Sequence, residues 1–187
     1  ISKYSEATPA ATIGEEFFVP GTIQTTGEDE GVHYNMHPRE TRFRLKTSTP
    51  VEGHTIKSYL EMDFMVLDLP GSNERISNSY APRTRHAFFS YDGVPGGEVL
   101  VGQTWSTFYN VKSLPELNEF VGPVGTLFNR QPMIRYTVGD FSVALENPDT
   151  TVTVGGARLE TDDSRIPDLT ASYALGPITA AVLLREL

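Results

Sequence analysis

The sequence predicts an all-β protein, an up-and-down antiparallel transmembrane β-barrel of which about eight strands are present. Two observations favour this fold. Several segments alternate apolar and polar side chains over about ten residues, which is the length of a membrane-spanning β-strand. The connections between these segments alternate between long and short, as in outer-membrane barrels, which have short turns at one end and long loops at the other.

Composition narrows the class of protein. The chain has 187 residues, of which 39% are hydrophobic and 21% charged, so it is not a disordered chain. The net charge of -9 argues against a nucleic-acid partner. Cysteine is absent, which excludes disulfides and thiolate chemistry. No apolar run approaches the ~20 residues of a spanning helix, and this excludes helical membrane proteins while leaving β-barrels open.

The first hairpin shows the alternation most clearly. Residues 39–65, RETRFRLKTSTPVEGHTIKSYLEMDFM, predict strands near 39–49 and 55–65. Phe43 and Leu45 alternate with Arg44 and Lys46, so one face is apolar and the other charged. A soluble sandwich buries the apolar face, whereas a membrane barrel places it in lipid and surrounds water with the charged face. The alternation alone leaves both architectures open.

The rest of the chain continues the pattern. Residues 1–38 predict a long acidic loop with a short strand near Phe17–Gln24. Further strands are predicted near 82–92, 98–109, 133–138, 141–146, 168–175 and 178–187. Long connections follow at 66–81, 110–131 and 147–167, the last locally extended at 151–154, and short ones at 50–54, 93–97, 139–140 and 176–177. A Greek-key sandwich does not require such strict alternation of loop length.

Basic residues form a ladder on the charged face of the hairpin. Arg42, Arg44 and Lys46 stand at i, i+2 and i+4, about 6.5–7 Å apart along one strand. Lys57 shares their face on the next strand, where Glu61 and Asp63 are expected to neutralise part of the positive charge of the ladder. Arg83, Arg85 and Arg135 are candidates to extend the basic side. Such a wall attracts anions if it lines a water-filled lumen, and on a soluble protein it is only a solvated strand face.

The connection 110–131 has the features of a constriction. Pro115 and Pro123 stiffen it, and a short helix is predicted from Ser113 to Phe120. Folded inward, it would place polar groups opposite the basic wall: Glu116, Asn118 and Glu119, with Arg130 at the return. The alternative is an ordinary surface loop. Trp105, the only tryptophan, suits either an interfacial aromatic belt or packing against an inward loop.

Enzyme chemistry finds little support in the sequence. The motifs HExxH and GxSxG are absent. His33 and His37 lie near Asp29 and Glu30, but in a predicted loop without metal-ligand spacing, so neither a metal nor a cofactor is predicted. The sequence therefore favours a channel or binding protein over an enzyme.

Two stretches of the sequence carry a family resemblance. GQTWSTF, residues 102–108, and RQPMIRYT, residues 130–137, resemble the DcaP-type porins of Gram-negative outer membranes. Further similar stretches are MHPRETRFRLKTSTP, SYLEMDF, RTRHAFFSY and PDLTASYALG, so the resemblance covers nearly all of the chain from about Phe17. It implies a homotrimer of 16-stranded barrels among outer-membrane lipid and lipopolysaccharide. It also implies a third loop folded into the pore, and passive diffusion of small anionic solutes such as dicarboxylates.

The chain departs from that family in extent. About eight predicted strands are roughly half of a 16-stranded barrel, so the chain is expected to be an internal segment of a single barrel domain. The family's first strand is then expected before Ile1, and the second half of the barrel after Leu187. Two alternatives stay open: a non-conducting eight-stranded membrane barrel filled by side chains, and a soluble all-β module such as a carbohydrate-binding sandwich.

Overall fold

The computed structural model of the chain describes residues 2–5, 30–33, 38–65, 77, 79–113, 129–154, 157–161 and 164–186. It is an all-β structure. The strands are β1 Ser2–Ser5, β2 Glu30–His33, β3 Phe43–Val51, β4 His54–Asp63, β5 Arg83–Val94, β6 Gly97–Trp105, β7 Arg130–Val138, β8 Phe141–Glu146, β9 Thr150–Val154, β10 Ala157–Thr161, β11 Asp168–Leu175 and β12 Ile178–Leu184. A 3₁₀ turn spans Val111–Ser113. Within the described residues, no helix is long and apolar enough to cross a bilayer.

Eight strands form one up-and-down sheet in the order β12-β11-β8-β7-β6-β5-β4-β3. Neighbouring strands of the sheet are joined alternately by two-residue turns and by long connections. The turns are 52–53, 95–96, 139–140 and 176–177, and the long connections are 64–82, 106–129 and 147–167. The predicted fold class and loop rhythm are therefore confirmed. β1 pairs with β2, and β9 with β10, in two separate hairpins.

Backbone conformation explains the tightness of the turns. In the turn between β3 and β4, Glu52 has φ 52° and Gly53 has φ 85°, the pair of positive angles that a type I′ hairpin requires. Within β6, Gly102 has φ 129°, and a Cβ there would lie 2.2 Å from the carbonyl oxygen of Ala87. Only glycine allows β5 and β6 to approach this closely.

One face of the sheet, the apolar face, is hydrophobic and exposed. A row of paired residues crosses six neighbouring strands on this face: Phe89, Val101, Ile134, Leu145, Leu169 and Leu184. Ile134 is 55% exposed and Leu184 60%. On the edge strand β12, Ile178 and Val182 are exposed in the same way. Monomeric soluble proteins rarely expose a continuous apolar surface of this extent.

The opposite face, the polar face, carries charged and hydrogen-bonding groups. Among the described residues, thirteen polar or charged residues are buried and only four hydrophobic ones. The small apolar cluster consists of Leu100, Met133 and Ala144, with Phe88 against it. A water-soluble domain buries its apolar side chains and exposes its charges, so this sheet is inverted.

Local elements differ from the predictions in a few places. The strands of the main sheet agree with the predicted ranges to within a few residues, apart from shifts of about four residues at some ends. The predicted loop 1–38 is wrong in part, because β1 and β2 pair within it. Residues 151–154, predicted as extended, belong to the hairpin of β9 and β10. The predicted strand at Phe17–Gln24 and helix residues 114–120 lie outside the described residues.

The described residues fall into two compact units. The first lies within Ile1–Phe43 and Met62–Arg83, and the second within Arg44–Glu61, Thr84–Ser113 and Leu127–Leu187. In the first unit, Phe43 and Phe64 pack edge to face with their ring centroids 6.0 Å apart. The second unit contains most of the sheet and most of the candidate residues.

Candidate functional site

A carboxylate on the polar face gathers three donors. Glu61 Oε2 accepts hydrogen bonds from Arg44 Nε at 2.6 Å and from the Tyr59 hydroxyl at 2.5 Å, and Oε1 accepts one from Arg85 Nε at 2.7 Å. Strand alternation places Tyr59 and Glu61 on the same face of β4, and pairing brings in the neighbouring strands β3 and β5. Two of the predicted basic residues therefore share one predicted acidic residue.

The two ion pairs of Glu61 differ in burial. The Arg85 and Glu61 side chains are 5% and 4% exposed, whereas the Arg44 side chain is 52% exposed. A buried, charge-assisted pair is costly to break because the remaining charge has lost its counter-charge away from water. The three side chains Arg44, Glu61 and Arg85 together carry one net positive charge, and the Arg44 side chain is the part that water reaches.

In the first unit, Arg83 and Asp63 form a bidentate pair. Arg83 Nε donates to Asp63 Oδ1 at 2.8 Å, and Nη2 donates to Oδ2 at 2.7 Å. Asp63 also accepts a hydrogen bond from the backbone N–H of Met65 at 3.2 Å. This pair is neutral as a whole, so Arg83 adds little positive field. Arg42 is exposed just before β3 in the same unit.

An open cavity of about 790 Å³ lies on the polar face of the second unit. Lys46, Lys57 and Arg135 line it, together with Tyr59, His86 and Trp105. The Lys57 ammonium is 3.6 Å from Glu98 Oε2, a partly exposed pair. The Lys46 ammonium lies 5.1 Å from the centroid of the Tyr59 ring, a cation–π contact.

Lys46 and Arg135 differ from the other cations of this face. Within the described residues, neither forms an ion pair with a carboxylate, although Glu98 and Glu146 lie near enough to Arg135 to act on its charge. Arg44, Arg85 and Lys57 each contact a carboxylate directly. Lys46, Lys57 and Arg135 outnumber Glu98 among the charged side chains that line the cavity, so its lining carries a net positive charge.

Aromatic side chains form a chain beside these cations. The rings of Phe88, Tyr59, His86, Trp105 and Tyr109 follow one another with centroids 5.4–5.6 Å apart. The Arg130 guanidinium lies 4.5 Å from the centroid of the Trp105 ring. Trp105 thus packs against Tyr109, at the start of the connection after β6.

That connection begins on the polar face. Ser106 and Thr107 are buried, and both donate hydrogen bonds of 2.7 Å to the carboxylate of Glu146, from the Ser106 hydroxyl and the Thr107 backbone N–H. Farther on, Asn110 Nδ2 donates to Thr179 Oγ1 at 3.0 Å. The segment therefore runs from β6 over β8 to the edge strand β12. The predicted constriction residues Glu116, Asn118 and Glu119 lie outside the described residues.

Replacing Glu61 by glutamine is expected to lower the free energy of unfolding by about 1–3 kcal/mol, because two guanidinium groups lose a charged acceptor. Equilibrium unfolding in urea of the full-length protein folded into lipid vesicles measures this. The control is Glu98→Gln, which breaks a partly exposed pair and is expected to cost under about 1 kcal/mol. Equal losses in the two variants would contradict the assigned importance of the Glu61 network.

Sequence reasoning missed four residues of this surface: Tyr59, His86, Glu98 and Glu146. Tyr59 was within reach, because it shares a predicted face with Glu61. His86 was not, because Arg85 and His86 are successive yet both contact side chains of the polar face, Glu61 and Tyr59. Strict alternation does not predict two successive side chains on one face. In the described part of the chain, no group of three potential ligands is placed to hold a metal ion.

Comparison with known proteins gives one match, to a solved structure. Neither a protein-family model nor a curated protein matches the chain. Among solved structures, the crystal structure of the outer membrane channel DcaP of Acinetobacter baumannii matches with a TM-score of 0.59 and 28% sequence identity. The chain is similar to part of this DcaP channel. The match covers 80% of this chain and 42% of the DcaP chain, so it spans less than half of that protein's length.

The match to DcaP bears out the resemblance found in the sequence. The chain was expected to correspond to only part of such a porin, and the match covers 42% of the DcaP chain. It also accounts for the inverted sheet, because a channel wall in an outer membrane meets lipid on one side and water on the other. The location of DcaP, an outer membrane, agrees with the location that the sequence predicts.

Proposed function

We propose that this chain is part of the wall of an outer-membrane porin, a passive diffusion channel for small anionic solutes. The observation that carries the proposal is the inverted sheet, with an exposed apolar face and a polar face of buried charges. A bilayer stabilises the first, and water in a pore solvates the second. The similarity to the outer membrane channel DcaP supports permeation rather than catalysis.

Preference for anions is supported by the cavity on the polar face. Its carboxylate neighbours are held by cations, Glu61 by Arg44 and Arg85, and Glu98 by Lys57. Lys46 and Arg135 remain to act on a passing solute. Two such cations lining one cavity suit a solute with two carboxylates, so we propose dicarboxylates as the class that permeates best.

The predicted partners belong to the same proposal. The apolar face offers a surface for outer-membrane lipid and lipopolysaccharide of a Gram-negative cell, and for the neighbouring barrels of a homotrimer. The predicted constriction, residues 110–131 with Glu116, Asn118, Glu119 and Arg130, is proposed to narrow the pore. Support for it comes from the start of this connection, which is bonded to Glu146 and Thr179 on the polar face.

Planar bilayer recording with the full-length protein tests the proposed function. Detergent-purified protein is expected to insert with discrete steps of ionic current, and a KCl gradient is expected to give a reversal potential of the sign for anion preference. A protein that remains soluble and monodisperse without detergent would favour the binding module. Insertion without conductance would favour the filled eight-stranded barrel.

A further inference from the structure

A second buried carboxylate of the polar face lies outside the predicted set of pore residues. Glu146, the last residue of β8, is 2% exposed. Its Oε2 accepts a hydrogen bond from the Ser106 hydroxyl, and its Oε1 accepts from the Thr107 backbone N–H and the Thr170 hydroxyl, each at 2.7 Å. All three hydrogen-bond donors are uncharged, and the guanidinium groups of Arg135 and Arg185 lie near enough to interact with the charge of this carboxylate.

These donors come from two different parts of the chain. Thr170 lies on β11, the strand beside Glu146, and ties the carboxylate to the wall. Ser106 and Thr107 lie immediately after β6, in the connection that returns at β7. Glu146 therefore links a wall of regular strands to a segment that is not a strand. Thr107 Oγ1 also reaches Met133 Sδ on the wall, at 3.9 Å.

The segment itself is compact. The Ser106 hydroxyl accepts from the Phe108 N–H at 3.2 Å, and the Ser106 carbonyl accepts from the Tyr109 N–H at 3.0 Å. The Ser106 N–H donates to the Asn129 carbonyl at 3.1 Å, which closes the two ends of the connection together. A turn that is rigid inside and bonded at its base takes its position from its attachment points, and these are Glu146 and, through Asn110, Thr179.

We propose that Glu146 is a positioning residue that holds the segment Ser106–Ser113 against the wall and so sets the width of the pore beside it. This rests on the proposed function as a channel. Glu146 does not contact the solute, because its side chain is buried beneath the segment. It acts through Ser106 and Thr107, and Asn110 and Thr179 provide the second attachment.

Two substitutions of Glu146 distinguish its role as a hydrogen-bond acceptor from the effect of its negative charge. Glu146→Gln keeps one oxygen for the Thr107 and Thr170 donors, and its amide NH₂ can donate to the Ser106 hydroxyl, which rotates to accept. Glu146→Ala leaves all three donors without this acceptor. Both variants remove the same negative charge. An effect of charge is therefore shared by the two variants, whereas an effect of anchoring appears in alanine alone.

Recording single channels of the full-length protein gives the first readout. Glu146→Ala is expected to increase open-channel current fluctuations severalfold and to change the conductance, whereas Glu146→Gln stays close to the parent. Both are expected to show the same small increase in anion preference. Asp140→Ala, which removes an exposed carboxylate in the turn at the opposite end of β7 from the segment, is the control and is expected to leave the fluctuations unchanged.

Cross-linking gives a readout that needs no conductance. The 187 residues contain no cysteine, so Asn110→Cys with Thr179→Cys confines a short bis-methanethiosulfonate reagent to these two positions of the chain. The double substitution also removes the second attachment, so the position of the segment depends on Glu146. The yield of cross-link is expected to fall severalfold in Glu146→Ala and to be retained in Glu146→Gln.

Single-channel recording and cross-linking together distinguish a failure of the channel proposal from a failure of the proposal that Glu146 anchors the segment. If the protein does not conduct but the cross-link depends on Glu146 as stated, the channel proposal fails and the anchor stands. An unchanged cross-link in Glu146→Ala overturns the anchor, whatever the conductance. If Glu146→Ala fails to fold, as judged by heat-dependent gel mobility, Ser106→Ala removes a single bond to Glu146. It is then expected to lower the cross-link yield by a smaller factor, and an unchanged yield there also overturns the anchor.

Discussion

Neutralising Lys46 and Arg135 together is expected to lower the anion-to-cation permeability ratio of the channel about fivefold. Two unit charges about 8 Å apart interact by about 0.5 kcal/mol in water, which raises the local anion concentration and lowers the local cation concentration by about two- to threefold each, so their ratio changes about fivefold. These two side chains line one cavity and, among the described residues, neither is neutralised by an ion pair. Methionine is the substitution of choice, because it removes the charge and keeps a long, unbranched apolar side chain.

The reversal potential of the full-length channel in a KCl gradient measures this change. Arg165→Met, which removes an exposed charge in the connection before β11, is the control and is expected to leave the ratio unchanged. Repeating the measurement at high salt adds a second check, since the Debye length falls from about 10 Å at 0.1 M to about 3 Å at 1 M. A ratio unaffected by the double substitution at low salt would contradict the assignment of the cavity to the permeation path.

The structure changes which basic residues are expected to matter most. From the sequence, Arg42 and Arg44 look equivalent to Lys46, because all three share one face at regular spacing. In the structure, Arg44 donates to Glu61, so its charge is partly cancelled. Among the described residues, Lys46 forms a cation–π contact with Tyr59 and no ion pair with a carboxylate, which leaves its charge available to solute. Spacing along one strand cannot reveal this, because the cancelling carboxylate comes from the neighbouring strand.

The fold was predictable because its signals are local. Alternation has a period of two residues, and the short turns carry the glycines that positive φ angles require. The hairpin of β1 and β2 was not predicted, because four-residue strands such as SKYS and EGVH are too short for alternation to be recognised.

The candidate site was less predictable than the fold. The place of Glu146 depends on the path of the connection after β6, which brings Ser106 and Thr107 back over the wall. Nothing in the spacing of those residues along the chain indicates such a path. The Glu61 network was less predictable than the fold and more predictable than the place of Glu146. The sequence predicts that its residues share a face but not which of them form hydrogen bonds.

Placing an arginine on the apolar face is expected to have the largest effect on stability. Ile134 lies in the middle of β7, is 55% exposed, and pairs with Val101 and Leu145 in the apolar row. Arginine at the midplane of a bilayer on the lipid side of a barrel costs about 2–4 kcal/mol. On a water-soluble protein, the same exposed substitution stays within about 0.5 kcal/mol of neutral, because water solvates the charge.

A residue on the same face of β7 but nearer the end of the strand provides the control. Val138 points to the same face but lies beside the turn at 139–140, and Val138→Arg is expected to cost only about 0–1 kcal/mol because the charge reaches the interface. Urea titrations of the full-length protein in vesicles compare the two variants. A cost that rises with distance from the turn requires a layer of lipid against this face. Equal and negligible costs at both positions would mean that water touches it throughout, and neither a pore wall nor a membrane barrel could then be built from this sheet.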